Sequence, residues 1–454
     1  MKRTALYLGP AMSLLLLAVL LGKGWEQAPA LTAAITLLCA SWWIFETIPI
    51  PFTSLLPLAL FPRFGILSAA QVGQSYGSPL ILLLLGGFMI SKAMADSGAH
   101  RRIALYMVNL FGGNNARSLV LGFMCASALL SMWISNTATT LMLLPVALAV
   151  LENAQRRLAV PLLLGIAYAA SIGGMGTPIG TPPNLIFMQV YADNFGTTPS
   201  FPQWMGWALP VVVIMVPLAG LWLTRGLRLE RPIALPPTGR WQPAEVRVLS
   251  LFALTAVFWI TRQAPFGGWS TWLNLPQAND ASVALLAVVA LAITPNGNGE
   301  RLLKWESART IPWGVLILFG GGIAIANAFM ESGLADQIAA QMHGLSRLPV
   351  WGMLLLICLI VTFMTEVTSN TATASLLMPL LAAAALAMDI NPMLLMIPAA
   401  LSASCAFMLP VATAPNAVMY GSGRVTIREM ARAGLVLNLL GAVVISSVSY
   451  WLLT

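Results

Sequence analysis

The chain has 454 residues, of which 58% are hydrophobic and only 8% are charged, and its formal net charge is +8. Soluble globular domains carry about a quarter charged residues, so this composition excludes a soluble protein and indicates an integral membrane protein. The positive charge lies in short segments between apolar stretches, and a soluble basic module that would suit nucleic acid is absent from the sequence, so nucleic acid is not expected as a partner.

About eleven apolar stretches follow one another along the chain, and each suits a membrane-spanning helix of roughly 20 residues. The predicted fold class is therefore an all-α polytopic membrane protein with about 11 transmembrane helices. The first, within residues 1–30, has Lys2 and Arg3 before it as a signal peptide does, but it is long enough to span and we expect it to remain. The stretches lie at about 6–22, 31–49, 52–68, 79–95, 160–176, 207–223, 249–261, 282–294, 313–330, 393–411 and 434–453.

Two further apolar segments are too long for one straight span. Residues 118–151 would form a helix of about 51 Å, whereas the hydrocarbon core of a bilayer is about 30 Å thick. The second segment, 350–388, has the same character, and each contains the triplet Ser-Asn-Thr near its middle. We therefore predict two re-entrant helical hairpins, broken at 135–137 and at 369–371.

The two triplets belong to two copies of one unit. They lie 234 residues apart, and several other landmarks keep nearly the same period, which is the sequence signature of an internal repeat. Repeat 1 is predicted to cover 31–226 and repeat 2 to cover 249–454, joined by a basic linker at 227–248. The recurring landmarks are Gly86-Gly87 with Gly321-Gly322, Pro145 with Pro379, and Pro183-Asn184 with Pro415-Asn416.

The distribution of basic residues predicts that the repeats are inverted. Arg117, Arg156 and Arg157 flank the first hairpin, so it should open to the cytoplasm, whereas Arg347 and Asp389 flank the second, which should open outward. Following this rule along the chain places the N-terminus and the linker in the cytoplasm and the C-terminus outside, in the inner (plasma) membrane of the cell. Inverted repeats whose broken helices meet at mid-membrane are typical of secondary transporters.

The polar breaks can bind ions of both signs. Ser, Asn and Thr oxygens with unwound carbonyls suit a small hard cation such as Na⁺, and the breaks at 174–184 and 411–417 free further carbonyls because proline blocks helix continuation. The helix that resumes after each triplet presents free N–H groups, with Thr137 or Thr371 placed to cap or donate, and these favour an anion. Two facing turns could thus hold both carboxylates of a dianion.

These segments resemble the divalent-anion:sodium symporter family, the dicarboxylate and citrate carriers. The matching motifs are SNTATTLMLLP, SNTATASLLMP, GTPIGTPPN and SCAFMLPVATAPNA, and the resemblance covers nearly the whole chain. It implies a secondary active transporter that couples Na⁺ influx to uptake of a C4-dicarboxylate such as succinate, malate or fumarate by an elevator-type movement. It also implies a homodimer in the lipid bilayer, Na⁺ as the co-transported ion and no organic cofactor.

The resemblance also assigns site residues. Sodium site 1 would consist of Ser131, Ser135, Asn136 and the backbone at Gly180. Sodium site 2 would consist of Thr365, Thr368, Ser369, Asn370 and the backbone at Ala412. The substrate would contact Asn136, Thr137, Thr181, Pro182, Asn370, Thr371 and Thr413. Ala414 departs from the family pattern, where many members have a second proline, and this weakens any inference about which dianion fits.

Several alternatives remain open from the sequence. The chain could be a sodium-independent dicarboxylate exchanger, or a carrier of citrate, tartrate or sulfate. An intramembrane enzyme is not expected, since the sequence has no catalytic set and His100 and His343 lie in predicted loops. A channel is disfavoured by the inverted hairpins. Glu366, three residues before Ser369, is either a proton-linked or electrostatic contributor to the cation site or, the interpretation we favour, a carboxylate paired with polar groups that fix the hairpin.

Overall fold

The computed structural model describes residues 2–111, 115–152, 156–227, 239–263, 267–339 and 349–454. Within these ranges the regular structure is helical, apart from one isolated bridge between Pro295 and Arg301. The all-α prediction is confirmed. Three sequence predictions fall outside the described residues: the part of the basic linker at 228–238, the loop position of His343, and Arg347 at the mouth of the second hairpin. The loop predicted for His100 is wrong, since His100 lies in the first turn of a helix at Ala99–Phe111.

The helices follow each other with short connections. A 3₁₀ turn at Arg156–Leu158 precedes the tenth helix. The α-helices are α1 (Lys2–Gly22), α2 (Gln27–Phe45), α3 (Ile50–Thr53), α4 (Leu56–Arg63), α5 (Ala69–Tyr76), α6 (Pro79–Ser97), α7 (Ala99–Phe111), α8 (Ala116–Ser131), α9 (Asn136–Glu152), α10 (Ala159–Gly174), α11 (Pro182–Phe195), α12 (Phe201–Leu223), α13 (Pro243–Ile260), α14 (Gly268–Trp272), α15 (Asp280–Ile293), α16 (Trp305–Ala308), α17 (Trp313–Glu331), α18 (Leu334–Ala339), α19 (Val350–Thr365), α20 (Asn370–Met388), α21 (Pro392–Ser402), α22 (Ala414–Gly421) and α23 (Ile427–Leu453).

Among the described residues, eight helical segments are long and apolar enough to cross a membrane: α1, α2, α5 with α6, α12, α13, α17, α20 and α23. Six shorter apolar helices accompany them: α8, α9, α10, α15, α19 and α21. The apolar stretch at 52–68 forms only α3 and α4, because Pro57 in the first turn of α4 lacks an N–H and cannot continue α3.

Both Ser-Asn-Thr segments fold as pairs of contacting helices rather than as one span. α8 ends at Ser131 and α9 begins at Asn136, and in the second segment α19 ends at Thr365 and α20 begins at Asn370. The breaks therefore lie at 132–135 and 366–369, about three residues before the predicted 135–137 and 369–371. α10 contacts α8, α9, α12 and α22, and all its residues from 162 to 174 are buried. α11 and α21 are also mostly buried, whereas α22 is buried only at Pro415, Asn416 and Met419.

A buried ion pair ties α7 to the chain that enters repeat 2. Arg102 Nε lies 2.8 Å from Glu245 Oε2, and the two side chains are only 6% and 9% exposed. The guanidinium also donates to the Gly239 carbonyl at 3.1 Å and lies 4.7 Å from the centre of the Trp241 ring. Glu245 accepts in turn from the N–H of Gln242 at 2.7 Å. The end of the linker is therefore held against α7.

Removing one member of this pair leaves an uncompensated buried charge, which typically costs about 3–5 kcal/mol. We therefore expect Arg102→Met to lower the melting temperature of the purified protein clearly in a thermal unfolding scan. The matched control is Lys92→Met, because Lys92 pairs with Asp96 at 2.6 Å with both side chains about one-third exposed, and such pairs contribute at most about 1 kcal/mol. Equal effects of the two substitutions would contradict an anchoring role for Arg102.

Candidate transport site

The two triplets make the same local turn, and the serine of each caps the helix that follows. Ser135 Oγ accepts from the N–H of Ala138 at 3.2 Å, and Ser369 Oγ accepts from the N–H of Ala372 at 3.1 Å. Serine is a favoured capping residue because its oxygen satisfies a donor that the helix cannot. Each cap therefore lies two residues before the predicted one, Thr137 or Thr371.

The asparagine of each triplet faces a hydroxyl at the end of the preceding helix. Ser131 Oγ donates to Asn136 Oδ1 at 2.5 Å, and Thr365 Oγ1 donates to Asn370 Oδ1 at 2.8 Å. Thr365 Oγ1 also lies 2.9 Å from the Ala403 carbonyl, although one hydroxyl has a single proton to donate. Each turn therefore gathers several oxygen atoms within the reach of one small cation.

Glycines bring the first triplet against the break between α10 and α11. A Cβ on Gly174 would lie 2.6 Å from Asn136 Oδ1 and 3.2 Å from the Gly180 carbonyl oxygen, so no larger residue fits there without displacing them. This close approach places three of the residues predicted for sodium site 1, Ser131, Asn136 and Gly180, around one point. The fourth, Ser135, belongs to the same turn.

A cavity of about 500 Å³ lies between the two triplets and the two helix breaks. Of the residues predicted for sodium binding, Ser131, Thr365 and Thr368 are buried outside its lining. Thr368 lies in the connection between α19 and α20, with its hydroxyl 2.9 Å from the Met364 carbonyl of α19 and in contact with the Thr373 hydroxyl of α20. The predicted residues that do line the cavity are Ser135, Asn136, Thr137, Gly180, Thr181, Pro182, Ser369, Asn370, Thr371, Ala412 and Thr413.

The four helices that follow the triplets and the two breaks all begin at the wall of this cavity: α9, α11, α20 and α22. α17 begins there too, after Pro312. The sequence predicted two of these N-termini, and the structure adds α11 and α22, whose capping residues are Thr181 and Thr413. Helix N-termini carry partial positive charge and free N–H groups, which attract anions. The described lining contains no charged side chain. An anion would therefore be held by helix ends, hydroxyls, amides and bound cations.

The far wall of the cavity comes from residues that the sequence analysis did not single out. α6 contributes Leu84, Gly87, Phe88 and Ser91, and the start of α17 contributes Pro312 and Val315. Only the Gly-Gly pair shared by the two repeats signalled this wall. Trp133, in the turn before the first triplet, also lines the cavity, and its ring stacks on Phe201 with centroids 6.0 Å apart.

Glu366 is paired with polar groups, as the favoured interpretation expected. Its carboxylate accepts three backbone N–H bonds, from Phe407 at 2.7 Å, Met408 at 2.8 Å and Leu409 at 3.0 Å. The amide of Asn438 on α23 donates to the same carboxylate at 2.7 Å. These four donors satisfy a buried charge and fix the tip of the second hairpin to the break between α21 and α22.

Broken helices that meet at a shared cavity inside a helical membrane protein are typical of secondary transporters. A family model described as a citrate transporter matches residues 40–395. Sodium-dependent dicarboxylate transporter SdcS of Staphylococcus saprophyticus is 39% identical over 98% of this chain and 90% of its own length, and that of Staphylococcus aureus strain MRSA252 is 38% identical over 99% and 90%. The chain belongs to this family of transporters. This confirms its resemblance to the divalent-anion:sodium symporters. It also confirms the prediction that the protein is a transporter and not an enzyme.

A solved structure shares the fold. The crystal structure of the Alcanivorax borkumensis YdaH transporter, whose topology is described as unusual, superposes with a TM-score of 0.58 and covers 87% of this chain and 88% of that one. The two sequences are only 15% identical, so this likeness concerns the fold alone. It supports the helical fold described above.

Proposed function

We propose that the protein is a secondary active transporter that couples Na⁺ influx to the uptake of a C4-dicarboxylate of the succinate, malate and fumarate class. The observation that carries this proposal is the uncharged cavity at which four helix N-termini and two oxygen-rich turns meet. The relatives named as sodium-dependent dicarboxylate transporters, which match nearly the full chain, support the same class of substrate and ion.

The cation half of the proposal rests on the oxygen atoms behind each triplet. Around Asn136, a hydroxyl, an amide oxygen and the Gly180 carbonyl lie close together, and around Asn370 a hydroxyl and the Ala403 carbonyl do so. All are neutral, which suits Na⁺ better than Ca²⁺ or Mg²⁺, since divalent sites want carboxylates. Ser135 would complete the first proposed site, and Thr368, Ser369 and Ala412 the second.

The anion half rests on the arrangement of the helix ends. α9 and α20 each start with the Asn-Thr of a triplet, so each can present N–H and side-chain donors to one carboxylate. Thr181, Pro182 and Thr413 line the space between them. Because the lining offers no basic side chain, bound Na⁺ would form part of the positive environment of the dianion.

We further propose an elevator-type movement. Every residue assigned to ion or substrate binding lies on α8–α11 or α19–α22 and their connections, whereas the wall formed by α6 and α17 is mostly apolar. A body that carries all the ligands can move along such a wall without exchanging hydrogen bonds. We also propose that the chain consists of inverted repeats at 31–226 and 249–454 and lies in the inner membrane. We propose a homodimer as well, and the mass of the detergent-solubilised protein would test this oligomeric state.

The first functional prediction concerns ion dependence. In proteoliposomes, uptake of labelled succinate should require an inward Na⁺ gradient, and K⁺ should replace Na⁺ poorly because its larger radius needs a wider cage of oxygens. Na⁺ should also raise the melting temperature of the purified protein, since a ligand that binds only the folded state stabilises it. Equal uptake in Na⁺, K⁺ and choline buffers would favour the sodium-independent exchanger, and labelled citrate, tartrate and sulfate would test the other divalent anions.

The second prediction concerns the triplet asparagines. Asn136→Ala and Asn370→Ala should each weaken substrate binding about tenfold to a hundredfold, which corresponds to the loss of about 1.5–3 kcal/mol from a hydrogen bond to a charged group. The control is Asn327→Ala, because Asn327 donates to Ser75 at 3.1 Å and lies outside the cavity lining. Unchanged substrate affinity in both folded, membrane-inserted triplet variants would remove these residues from the site.

The third prediction concerns topology. Arg117 and Asn391 are exposed residues next to the open ends of the first and second hairpins. In a background without the four native cysteines, Arg117→Cys should react with a membrane-impermeant thiol reagent only from the cytoplasm, and Asn391→Cys only from outside. Permeabilised membranes serve as the control, since both positions should then react. Labelling of both from one side of intact membranes would make the repeats parallel and remove the basis for two facing hairpins.

A further inference from the structure

Asn184 and Asn416 occupy the same place in the two helix breaks. Each follows a proline in the first turn of its helix, α11 or α22, and each is fully buried. Neither lines the cavity. Two fully buried amides at matching positions beside a proposed ion site require a physical reason.

Both side chains bind the turn that precedes their helix in the same way. Asn184 Nδ2 donates to the carbonyls of Gly174 at 3.0 Å and Thr177 at 2.7 Å, ten and seven residues earlier. Asn416 Nδ2 donates to the carbonyls of Ala406 at 3.0 Å and Leu409 at 3.0 Å, with the same two spacings. Gly174 and Ala406 lack a helical donor for their carbonyls, because Pro178 and Pro410 stand four residues later and have no N–H. Each amide satisfies that carbonyl and shares the second one, on Thr177 or Leu409, with a backbone N–H of the turn.

The prolines have the opposite effect on a different carbonyl. The helical donors for the Gly180 carbonyl would be the N–H groups of residues 183 and 184, but Pro183 has none and the N–H of Asn184 goes to Thr181 at 3.3 Å. The Ala412 carbonyl also lacks a helical donor, because Pro415 has no N–H and the N–H of Asn416 donates to Thr413 Oγ1 at 3.3 Å. The Pro-Asn step thus binds two carbonyls of each turn and leaves the carbonyl of Gly180 or Ala412 without a helical donor.

The carbonyls left in this way belong to the two backbone positions that line the cavity beside the triplets, Gly180 and Ala412. We infer that Asn184 and Asn416 are positioning residues for the two proposed sodium sites. Each holds its unwound turn at a fixed width, so that the remaining carbonyl faces the asparagine of the neighbouring triplet. This inference rests on the proposed sodium coupling and assigns its geometry to residues outside the cavity.

The orientation of the two side-chain amides shows that the Nδ2 group, not the Oδ1 atom, holds each turn. Among the described residues, Asn184 Oδ1 and Asn416 Oδ1 are buried and have no hydrogen-bond partner, so the donor end alone makes contacts. An aspartate has nearly the same shape but would place an oxygen against the two carbonyl oxygens. Asn→Asp should therefore disrupt the turn, whereas an asparagine that only fills space would tolerate the exchange better.

The experiment compares Asn184→Asp and Asn416→Asp with Asn194→Ala. Asn194 lies on α11 and donates to the Val190 carbonyl of its own helix at 2.7 Å, away from the break. Succinate uptake is measured against Na⁺ concentration, and melting temperature is measured in Na⁺ and in choline. We expect each Asp variant to raise the half-saturating Na⁺ concentration about tenfold to a hundredfold, as changes to groups that orient metal ligands do, while the maximal rate changes far less. The control should match the wild type.

A merely structural role would lower the melting temperature equally in Na⁺ and choline without moving the half-saturating Na⁺ concentration, and this result would overturn the inference. If an Asp variant does not fold, Asn184→Ser replaces it. Serine has one proton to donate, whereas the Asn184 amide donates to two carbonyls. A wild-type Na⁺ response in that variant would therefore also overturn the inference. A wild-type protein that shows no Na⁺ dependence would instead refute the proposed sodium coupling, which distinguishes the two failures.

Discussion

An interrupted helix inside a bilayer leaves backbone N–H and carbonyl groups without helical partners, and the hydrocarbon core has no water to hydrogen-bond with them. The described part of this chain contains four such interruptions, at the two triplets and at the two breaks near 175–181 and 403–413. Each must satisfy most of its freed groups to be stable. The groups that are left over determine what the cavity can bind, because N–H groups attract an anion and carbonyls attract a cation.

The two repeats solve the same problem with related but unequal groups. Both use a serine to cap the helix after the triplet and an asparagine amide to hold the second break. They differ where the hairpin meets that break. In repeat 1 the Thr177 hydroxyl donates to the Met132 carbonyl, whereas in repeat 2 the carboxylate of Glu366 accepts three N–H groups. Of the two hairpins, the second therefore has a carboxyl group near its tip where the first has Met132.

The division between ligand-bearing helices and an apolar wall follows from the same constraint. Polar breaks can be satisfied only by neighbours that are themselves polar or broken, so they gather together and leave α6 and α17 to contribute mainly side-chain surface. The buried Arg102–Glu245 pair lies outside this assembly and fixes the chain that joins the repeats. Proposed binding groups and the anchor of the connecting chain are thus in separate parts of the molecule.

The sequence by itself determined the helical class, both hairpins, the approximate positions of the breaks and the lining residues that come from the triplets and breaks, because proline, glycine and Ser-Asn-Thr stop a helix through local chemistry. It could not show that α11 and α22 also begin at the cavity, that the α6 and α17 wall closes it, or that Thr368 lies outside its lining. Nor could it pair Glu366 with Asn438, 72 residues later. Those features depend on how distant helices pack, and tertiary structure alone decides which freed groups meet a partner and which remain for a ligand.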